Sequence, residues 1–112
     1  MSENKDKNKL ELKLQGNLYV GEIDGKEFGF RKITWGEKNK IISISQRINP
    51  NGQPSFDMSE FNINLILATV KKAPFALSKE SLESYPDAKL IDKLLSVATQ
   101  MNIADPVDIQ NL

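Results

Sequence analysis

The sequence contains no cysteine and no histidine among its 112 residues. These two residue types are the commonest zinc ligands, and they also supply the thiol nucleophile and the usual general base near neutral pH. Without them most hydrolytic and redox mechanisms are disfavoured, and the missing cysteines fit a reducing, intracellular compartment. We therefore expect a protein that is not an enzyme and that has no catalytic residues, no cofactor and no metal.

The chain also lacks an excess of charge of either sign and a long apolar run. Lysine and arginine number 15 and so do aspartate and glutamate, so no net charge steers the chain toward nucleic acid or an anionic membrane. The longest basic run, Lys71-Lys72, is too short for a nucleic-acid footprint. The polar start MSENKDKNK has no apolar signal segment, and no stretch approaches the roughly 18 apolar residues of a membrane span. We expect an intracellular protein that binds neither nucleic acid nor a membrane.

The length fits a single domain, and the pattern of apolar residues predicts an α+β fold. We expect an N-terminal antiparallel β-meander of about three strands, followed by about three to four helices, in one domain that spans residues 10–103. Residues 1–9 have no large apolar side chain after Met1 and predict a flexible tail. Residues 104–112 contain the break Asp105-Pro106 and predict a frayed tail.

The meander is predicted from residue alternation and from two turn signals. Leu10, Leu12 and Leu14 alternate with charged residues, which is the period of a strand with one buried face. Gly16-Asn17 and Asp24-Gly25 suit two-residue hairpin loops because these residues tolerate positive φ. The resulting registers pair Leu14 with Tyr19, Leu10 with Ile23, Tyr19 with Phe30 and Gly21 with Phe28. One face then carries Leu10, Leu12, Leu14, Tyr19, Ile23, Phe28 and Phe30.

The same register places three carboxylates, Glu11, Glu22 and Glu27, in a row on the other face. Like charges directly opposite each other are unfavourable by about 0.2–1 kcal/mol, which a solvated face tolerates. A cation site at this row is the alternative interpretation. It is disfavoured because no loop arranges the three groups around an ion.

The only tryptophan stands in the stretch KITWGEKNKII, beside a helix-start signal. Thr34 and Glu37 have the spacing of a capping box, so Trp35 falls in the first turn of a helix that we expect to reach about Arg47. The apolar spacing after Lys40 also fits a strand, but the specific cap favours the helix. Trp35 is then either a ring that ties the sheet to the helices, which we favour, or a direct partner contact. The next stretch, NPNGQPS, predicts an exposed loop.

A second capping signal, Asp57 with Glu60, predicts a helix from about Met58 to Lys72, with Lys71 and Lys72 against its negative C-terminal end. Its apolar residues form two stripes on nearly opposite sides. One stripe holds Met58, Phe61, Leu65 and Ala68, and the other holds Ile63, Ile66, Leu67 and Val70. The domain's own core, a partner or a second copy of the chain can cover the second stripe. Our hypothesis is that this stripe, with Phe75 just beyond it, is a client or homo-oligomer surface.

Two further helices complete the helical half. Ser78 can cap a short helix through about Ser84, after the break at Ala73-Pro74-Phe75. A last helix is expected from about Pro86 to Asn102, with one apolar half, so that it packs on one face only. That half holds Ala88, Leu90, Ile91, Leu94, Leu95, Ala98 and Met101.

The order of these elements resembles that of a known family. Ile33-Thr34-Trp35-Gly36-Glu37 opens a helix after a short β region, and a loop with proline and glycine, a strongly apolar helix, Ala73-Pro74-Phe75 and an amphipathic helix follow. Over about Lys32 to Asn102 this arrangement is similar to the tail assembly chaperones of long-tailed bacteriophages and prophages. The order, the spacing and the total length carry the resemblance.

The resemblance implies a function without chemistry. Such chaperones bind the long tape measure protein and help tail tube protein subunits assemble around it, in the cytoplasm of the bacterial host, and they are absent from the mature virion. Many are also made in a longer form by a ribosomal frameshift near the C-terminus. The residues that we expect to bind a partner are Ile63, Ile66, Leu67, Val70, Phe75 and, in its alternative role, Trp35.

Two other functions fit a chain of this size and class. A structural virion or connector component would stay with the particle, so mass spectrometry of purified particles separates it from a chaperone. A small nucleic-acid-binding regulator of a mobile element would use the helical half, but the neutral net charge disfavours it.

Overall fold

The computed structural model describes residues 11–103, which form a mixed α+β fold, as the sequence predicts. The strands are β1 (Lys13–Gln15), β2 (Leu18–Ile23), β3 (Lys26–Phe30), β4 (Gln46–Ile48), β5 (Pro54–Phe56) and β6 (Val70–Lys72). The helices are α1 (Trp35–Ser45), α2 (Met58–Thr69), α3 (Lys79–Glu83) and α4 (Ala88–Asn102). The predicted tails, residues 1–9 and 104–112, lie outside the described residues, as does the predicted pairing of Leu10 with Ile23.

The first three strands form the predicted antiparallel meander. Tyr19 pairs with Leu14 on one side and with Phe30 on the other, and Gly21 pairs with Phe28, as expected from the turn signals. The second turn has Asp24 and Gly25 at φ values of 55° and 78°, the left-handed region that Asp and Gly tolerate. The three predicted pairings that lie within the described residues are therefore confirmed, and turn chemistry and residue alternation were enough to predict them.

Burial across the predicted apolar face is uneven. Phe28 and Phe30 are fully buried, whereas Leu14 is 62% exposed, so its placement in the buried set was wrong. Leu14 is exposed because β1 is the edge strand in the sheet order β1-β2-β3-β6. It is the strand farthest from β6, which directly follows α2 in the chain. The opposite face is not wholly solvated either, since Val20 is buried there.

A fourth strand, β6, was not predicted. The helix expected to reach Lys72 ends at Thr69, and Val70–Lys72 pairs antiparallel with β3 instead. The backbone carbonyl of Thr69 accepts a hydrogen bond from the Arg31 amide at 2.8 Å, and the β-branched Thr69 and Val70 suit the change to extended backbone. Lys72 then forms an ion pair with Glu27, which offsets the like-charge pair that Glu27 makes with Glu22 across the strands.

The core lies where α2, α3 and α4 cover the sheet. Its buried side chains are Ile23, Phe28, Phe30, Ile66, Val70, Leu82, Leu90 and Leu94. The apolar half predicted for the last helix therefore packs as expected, although the helix begins at Ala88, with Asp87 as its cap, rather than near Pro86. An ion pair of 2.6 Å between Lys93 of α4 and Asp24 joins this helix to the β2–β3 turn.

A polar bridge at Asn102 joins three elements at the end of α4. Its side-chain oxygen accepts a hydrogen bond from the Ile33 amide at 2.8 Å, and its side-chain nitrogen donates to the Thr69 hydroxyl at 2.9 Å. Thr69 is fully buried at the end of α2, and Ile33 lies in the segment between β3 and α1. One amide side chain thus satisfies polar groups that would otherwise be buried without a partner.

The predicted loop NPNGQPS is exposed and forms the turn of a hairpin, but its last two residues, Pro54 and Ser55, belong to β5. Helix α1 ends at Ser45 rather than at Arg47, and Gln46–Ile48 pairs antiparallel with Pro54–Phe56. The turn is closed by the Asn49 amide, which donates to the Gln53 carbonyl at 2.8 Å, with Gly52 at a φ of 83°. Pro54 is tolerated because β5 pairs on one side only, where an edge position needs no second amide donor.

Candidate functional site

The predicted partner stripe of α2 is mostly core, which corrects the hypothesis for two of its residues. Ile66 is 2% exposed and Val70 is 1% exposed, and both belong to the buried cluster formed with β3 and α4. Ile63 and Leu67 are partly buried and pack against the same cluster. The reason is that Val70 lies in β6, a strand that the sequence pattern did not predict, and that Ile66 packs in the cluster shared with β3 and α4. Ile66 and Val70 therefore contribute to the core rather than to an exposed partner surface.

Phe75 also belongs to the margin of the core. Its ring meets the Phe28 ring edge to face, at 6.0 Å between centroids, and lies 4.6 Å from the Tyr85 ring. Such aromatic pairs stabilise a core by about 0.5–1.5 kcal/mol beyond the area they bury. Phe75 is partly buried, so the ring mainly closes the core and is not a free interaction surface.

Trp35 is 77% exposed, so the favoured role of tying the sheet to the helices was wrong. It does occupy the first turn of α1 behind the predicted capping box, with the Glu37 amide donating to the Thr34 hydroxyl at 3.1 Å and the Thr34 amide donating to the Glu37 carboxylate at 2.8 Å. Because the box fixes Trp35 on the open side of the helix start, its ring extends into solvent. Of the two roles predicted for Trp35, its exposed position is compatible with direct contact with a partner.

The junction between β3 and α1 is instead stabilised by an ion pair between Arg31 and Glu37. Arg31 donates two hydrogen bonds to the Glu37 carboxylate, one of them at 3.0 Å, from the end of β3 to the start of α1. These bonds, together with the Thr34 amide, lower the pKa of Glu37 from its ordinary value of 4.5 to about 2. The guanidinium is planar and always charged, so this fork geometry fixes the angle at which the helix leaves the sheet.

The largest group of exposed apolar side chains lies at the other end of α1. Ile48 is 77% exposed and Met58 is 56% exposed, and Phe56 is exposed between them in the chain. In the β4–β5 register Gln46 pairs with Phe56 and Ile48 pairs with Pro54, and cross-strand partners share a face. We call Ile48, Pro54, Phe56 and Met58 the hairpin face.

The hairpin face is held in place by contacts with both neighbouring helices. The Phe56 ring lies 5.4 Å from the Phe61 ring of α2, and Met58 is one turn from Phe61 on the same side of that helix. The Asp57 amide donates to the Ser45 carbonyl at 2.8 Å, and Arg47 lies 3.7 Å from the Asp57 carboxylate. The exposed apolar side chains therefore lie on a hairpin whose position is fixed by contacts with α1 and α2.

The hairpin face and Trp35 are separate. They lie at opposite ends of α1, and ten residues of helix at 1.5 Å each place them about 15 Å apart. The predicted site residues are thus not brought together by the fold. Ile66 and Val70 are core, Phe75 and Leu67 border the core, Ile63 lies beside a groove, and Trp35 stands alone in solvent.

The chemistry that this surface offers is apolar contact and hydrogen bonding. The carboxylate of Asp57, which could serve acid or base chemistry, caps α2 by accepting from the Glu60 amide at 3.0 Å. Within residues 11–103, no cluster of three or more Asp and Glu side chains could hold a metal ion. None of the helices in that range is long and apolar enough to cross a membrane.

Sequence reasoning missed the hairpin face because two prolines made the segment look like a loop. The available signal was Asn51-Gly52, a favoured hairpin turn, with Ile48 and Phe56 on either side. Comparisons with protein-family models, with curated proteins and with solved structures found no match to this chain.

Proposed function

We propose that this protein is a tail assembly chaperone of a long-tailed bacteriophage or prophage. In this proposal it binds the tape measure protein in the cytoplasm of the bacterial host, helps tail tube subunits assemble around it, and is absent from the mature virion. The support is the resemblance over about Lys32 to Asn102 and, above all, the exposed apolar hairpin face. Ile48, Phe56 and Met58 are large apolar side chains exposed in one short segment of the chain, and exposed apolar surface on a small domain is typical of a site that contacts another protein.

The strength of binding expected from the hairpin face suits a chaperone. Fully burying a side chain such as Ile or Met contributes about 1.5–3 kcal/mol, and Ile48 and Met58 have most of that burial still available. Part of this gain is offset by the loss of translational and rotational freedom on association. A few such contacts give a reversible complex, which tube subunits can displace from the client.

The surroundings of the hairpin face are polar, as around many reversible interfaces, and they include the ion pair between Arg47 and Asp57. Asn49, Asn51 and Ser55 are exposed beside it, and all three side chains are held by local hydrogen bonds. The Ser55 hydroxyl donates to the Asn49 side chain at 3.1 Å, and the Asn51 side chain accepts from the Gln53 amide at 3.0 Å. The apolar centre therefore has a pre-formed polar margin, which lowers the entropy lost on binding.

The experiment is co-expression with the tape measure protein encoded in the same phage or prophage, followed by affinity purification of the client. The test variant is Ile48→Ser with Met58→Ser, which removes the most exposed apolar side chains of the hairpin face. The matched control is Leu14→Ser, since Leu14 is an equally large, 62% exposed residue on the edge of the other sheet. We expect the wild type and the control to co-purify with the client, and the test variant to be lost from the complex at unchanged stability.

Three outcomes would count against the proposal. One is the absence of binding to a soluble client, and another is equal loss of binding in the Leu14→Ser control. The third is the presence of this chain in purified particles by mass spectrometry, which would indicate a structural virion component. A gel shift with DNA at low salt would favour the regulator of a mobile element instead. The coding DNA near codon 112 gives a further check, because a slippery heptamer and an overlapping frame are expected for this family.

A further inference from the structure

A groove lies between the helices α2, α3 and α4. Its floor is formed by Ile63 and Ile66 of α2 and by Ile91 and Leu95 of α4. Along α2 the lining residues begin at Ser59 and end at Ile66, a length of about 10 Å or two helical turns. The groove is open, since Ile63, Ile91 and Leu95 are only partly buried.

The size of the groove favours a peptide side chain over a small molecule. Its volume is about 230 Å³, below the roughly 300–1,000 Å³ of typical small-molecule sites. An amphipathic helix that docks in a groove uses apolar anchors at positions such as i, i+3 or i+4 and i+7. Anchors at that spacing span the same two turns that the α2 lining residues span.

Two carboxylates line the groove together with this apolar floor. Glu83 ends α3 and Asp92 follows Ile91 on α4, and both are exposed. Within residues 11–103 neither of them forms an ion pair. Two lysines on the same helices, Lys79 and Lys93, pair instead with Glu60 and Asp24. Both carboxylates are therefore available to pair with a basic group of a partner.

We infer that the groove between α2 and α4 is a docking site for an amphipathic helix that carries apolar anchors flanked by lysine or arginine. The anchors fill the space over Ile63, Ile91 and Leu95, and the basic side chains meet Glu83 and Asp92. Charge complementarity at such a rim speeds association and selects against acidic partners. None of the residues that line the groove belongs to the hairpin face, so this inference does not rest on the proposed function.

The test uses a synthetic peptide of about 15 residues with leucine at i, i+3 and i+7 and lysine beside each leucine, and a second peptide with glutamate at each lysine position. Binding is measured by fluorescence anisotropy of the labelled peptide, and the site is located by methyl NMR of the isoleucine and leucine side chains. We expect the basic peptide to bind, with shifts at Ile63, Ile91 and Leu95. The acidic peptide should bind at least about tenfold more weakly.

The protein variants separate charge from folding. Glu83→Gln with Asp92→Asn changes only exposed groups and should weaken the basic peptide about tenfold, with the effect reduced at high salt. The matched control is Glu11→Gln with Glu22→Gln, an equal loss of charge in β2 and in the segment before β1, and should change binding by less than about twofold. Thermal unfolding of each variant shows whether the fold is kept.

Several results would overturn the inference. Peptide shifts confined to the hairpin face, equal binding of both peptides, or an equal effect of the control variant would each remove the role of the groove. Methyl shifts at Ile63, Ile91 and Leu95 that grow with protein concentration, without any peptide, would assign the groove to a second copy of the chain instead.

Discussion

The two hairpins β2–β3 and β4–β5 each have an Asx-Gly pair in the turn, but they differ in loop length and in surroundings. Asp24-Gly25 closes the first hairpin and Asn51-Gly52 closes the second, and both glycines have positive φ. The β2–β3 hairpin buries Phe28 completely, whereas every strand residue of β4–β5 is exposed. The difference teaches that a turn signal specifies a hairpin, while burial depends on what later packs over its face.

The covered hairpin contributes to the stability of the fold, whereas the exposed hairpin is available for partner binding. The β2–β3 hairpin is covered because β6, α2 and α4 return to it, and it holds the core. The β4–β5 hairpin is attached to the helix ends through Phe61 and Asp57, and nothing among residues 11–103 covers Ile48. Changes in the first hairpin should therefore lower the free energy of unfolding, and changes in the second should mainly alter partner binding.

The largest expected effect compares one residue from each hairpin. Phe30→Ala removes a fully buried ring and should lower the free energy of unfolding by about 3–5 kcal/mol. Ile48→Ala removes an exposed side chain and should change it by no more than about 0.5 kcal/mol. Both values come from urea denaturation followed by circular dichroism. A cost above about 1 kcal/mol for Ile48→Ala would mean that the second hairpin is also covered.

The next largest effect is expected at the polar bridge formed by Asn102 at the end of α4. Asn102→Ala leaves the Ile33 amide and the buried Thr69 hydroxyl without their partner and should cost about 1–3 kcal/mol. The neighbouring Gln100 is exposed on the same helix, and Gln100→Ala is the matched control with an expected change within about 0.5 kcal/mol. Equal costs for the two variants would show that the bridge does not contribute to stability.

Replacing each of two glycines by alanine should give smaller changes in stability that have opposite signs. A Cβ at Gly29 would lie 2.9 Å from the Lys72 Cβ and 3.1 Å from the Leu18 Cδ1, so Gly29→Ala should destabilise the sheet by about 1–2 kcal/mol. A Cβ at Gly36, in the first turn of α1, meets nothing within 4 Å. Gly36→Ala should stabilise by about 0.4–1 kcal/mol. If Gly29→Ala is neutral in thermal unfolding, β6 does not approach β3 as closely as the structure shows.

The smallest effect is a pH dependence at the start of α1. The folded-state pKa of Glu37 is lowered to about 2 by Arg31 and the Thr34 amide, so its charged form stabilises the fold. This contribution is fully present above the ordinary pKa of 4.5 and is lost as the pH falls from there through about 2. Because the group is partly exposed, we expect less than about 1 kcal/mol.

Glu37→Gln tests this dependence because glutamine keeps the capping-box geometry without the charge. The difference in unfolding free energy between wild type and variant should be largest near neutral pH, should shrink as the pH falls below 4.5, and should vanish below about pH 2. A difference that stays constant over that range would contradict the assigned ion pair with Arg31.

Much of the fold was predictable from particular residues, whereas the candidate site was not. The meander registers, the Thr34 and Ser78 caps and the apolar half of α4 depend on residues close together in the chain. The pairing of Val70–Lys72 with β3 depends on contacts some 40 residues away, which a local helical pattern cannot reveal. Because β6 ended α2 early and α4 covered it, the predicted partner stripe became core, and the hairpin face took its place as the exposed apolar surface.

The sequence by itself determined where the turns, caps and alternating strands lie, since those follow from local backbone and side-chain preferences. It also determined the neutral charge and the absence of cysteine and histidine. Only the tertiary structure decided which apolar residues are hidden. Trp35 and Ile66 are both large and apolar, yet one is 77% exposed and the other 2% exposed, because burial depends on which distant element packs against each of them.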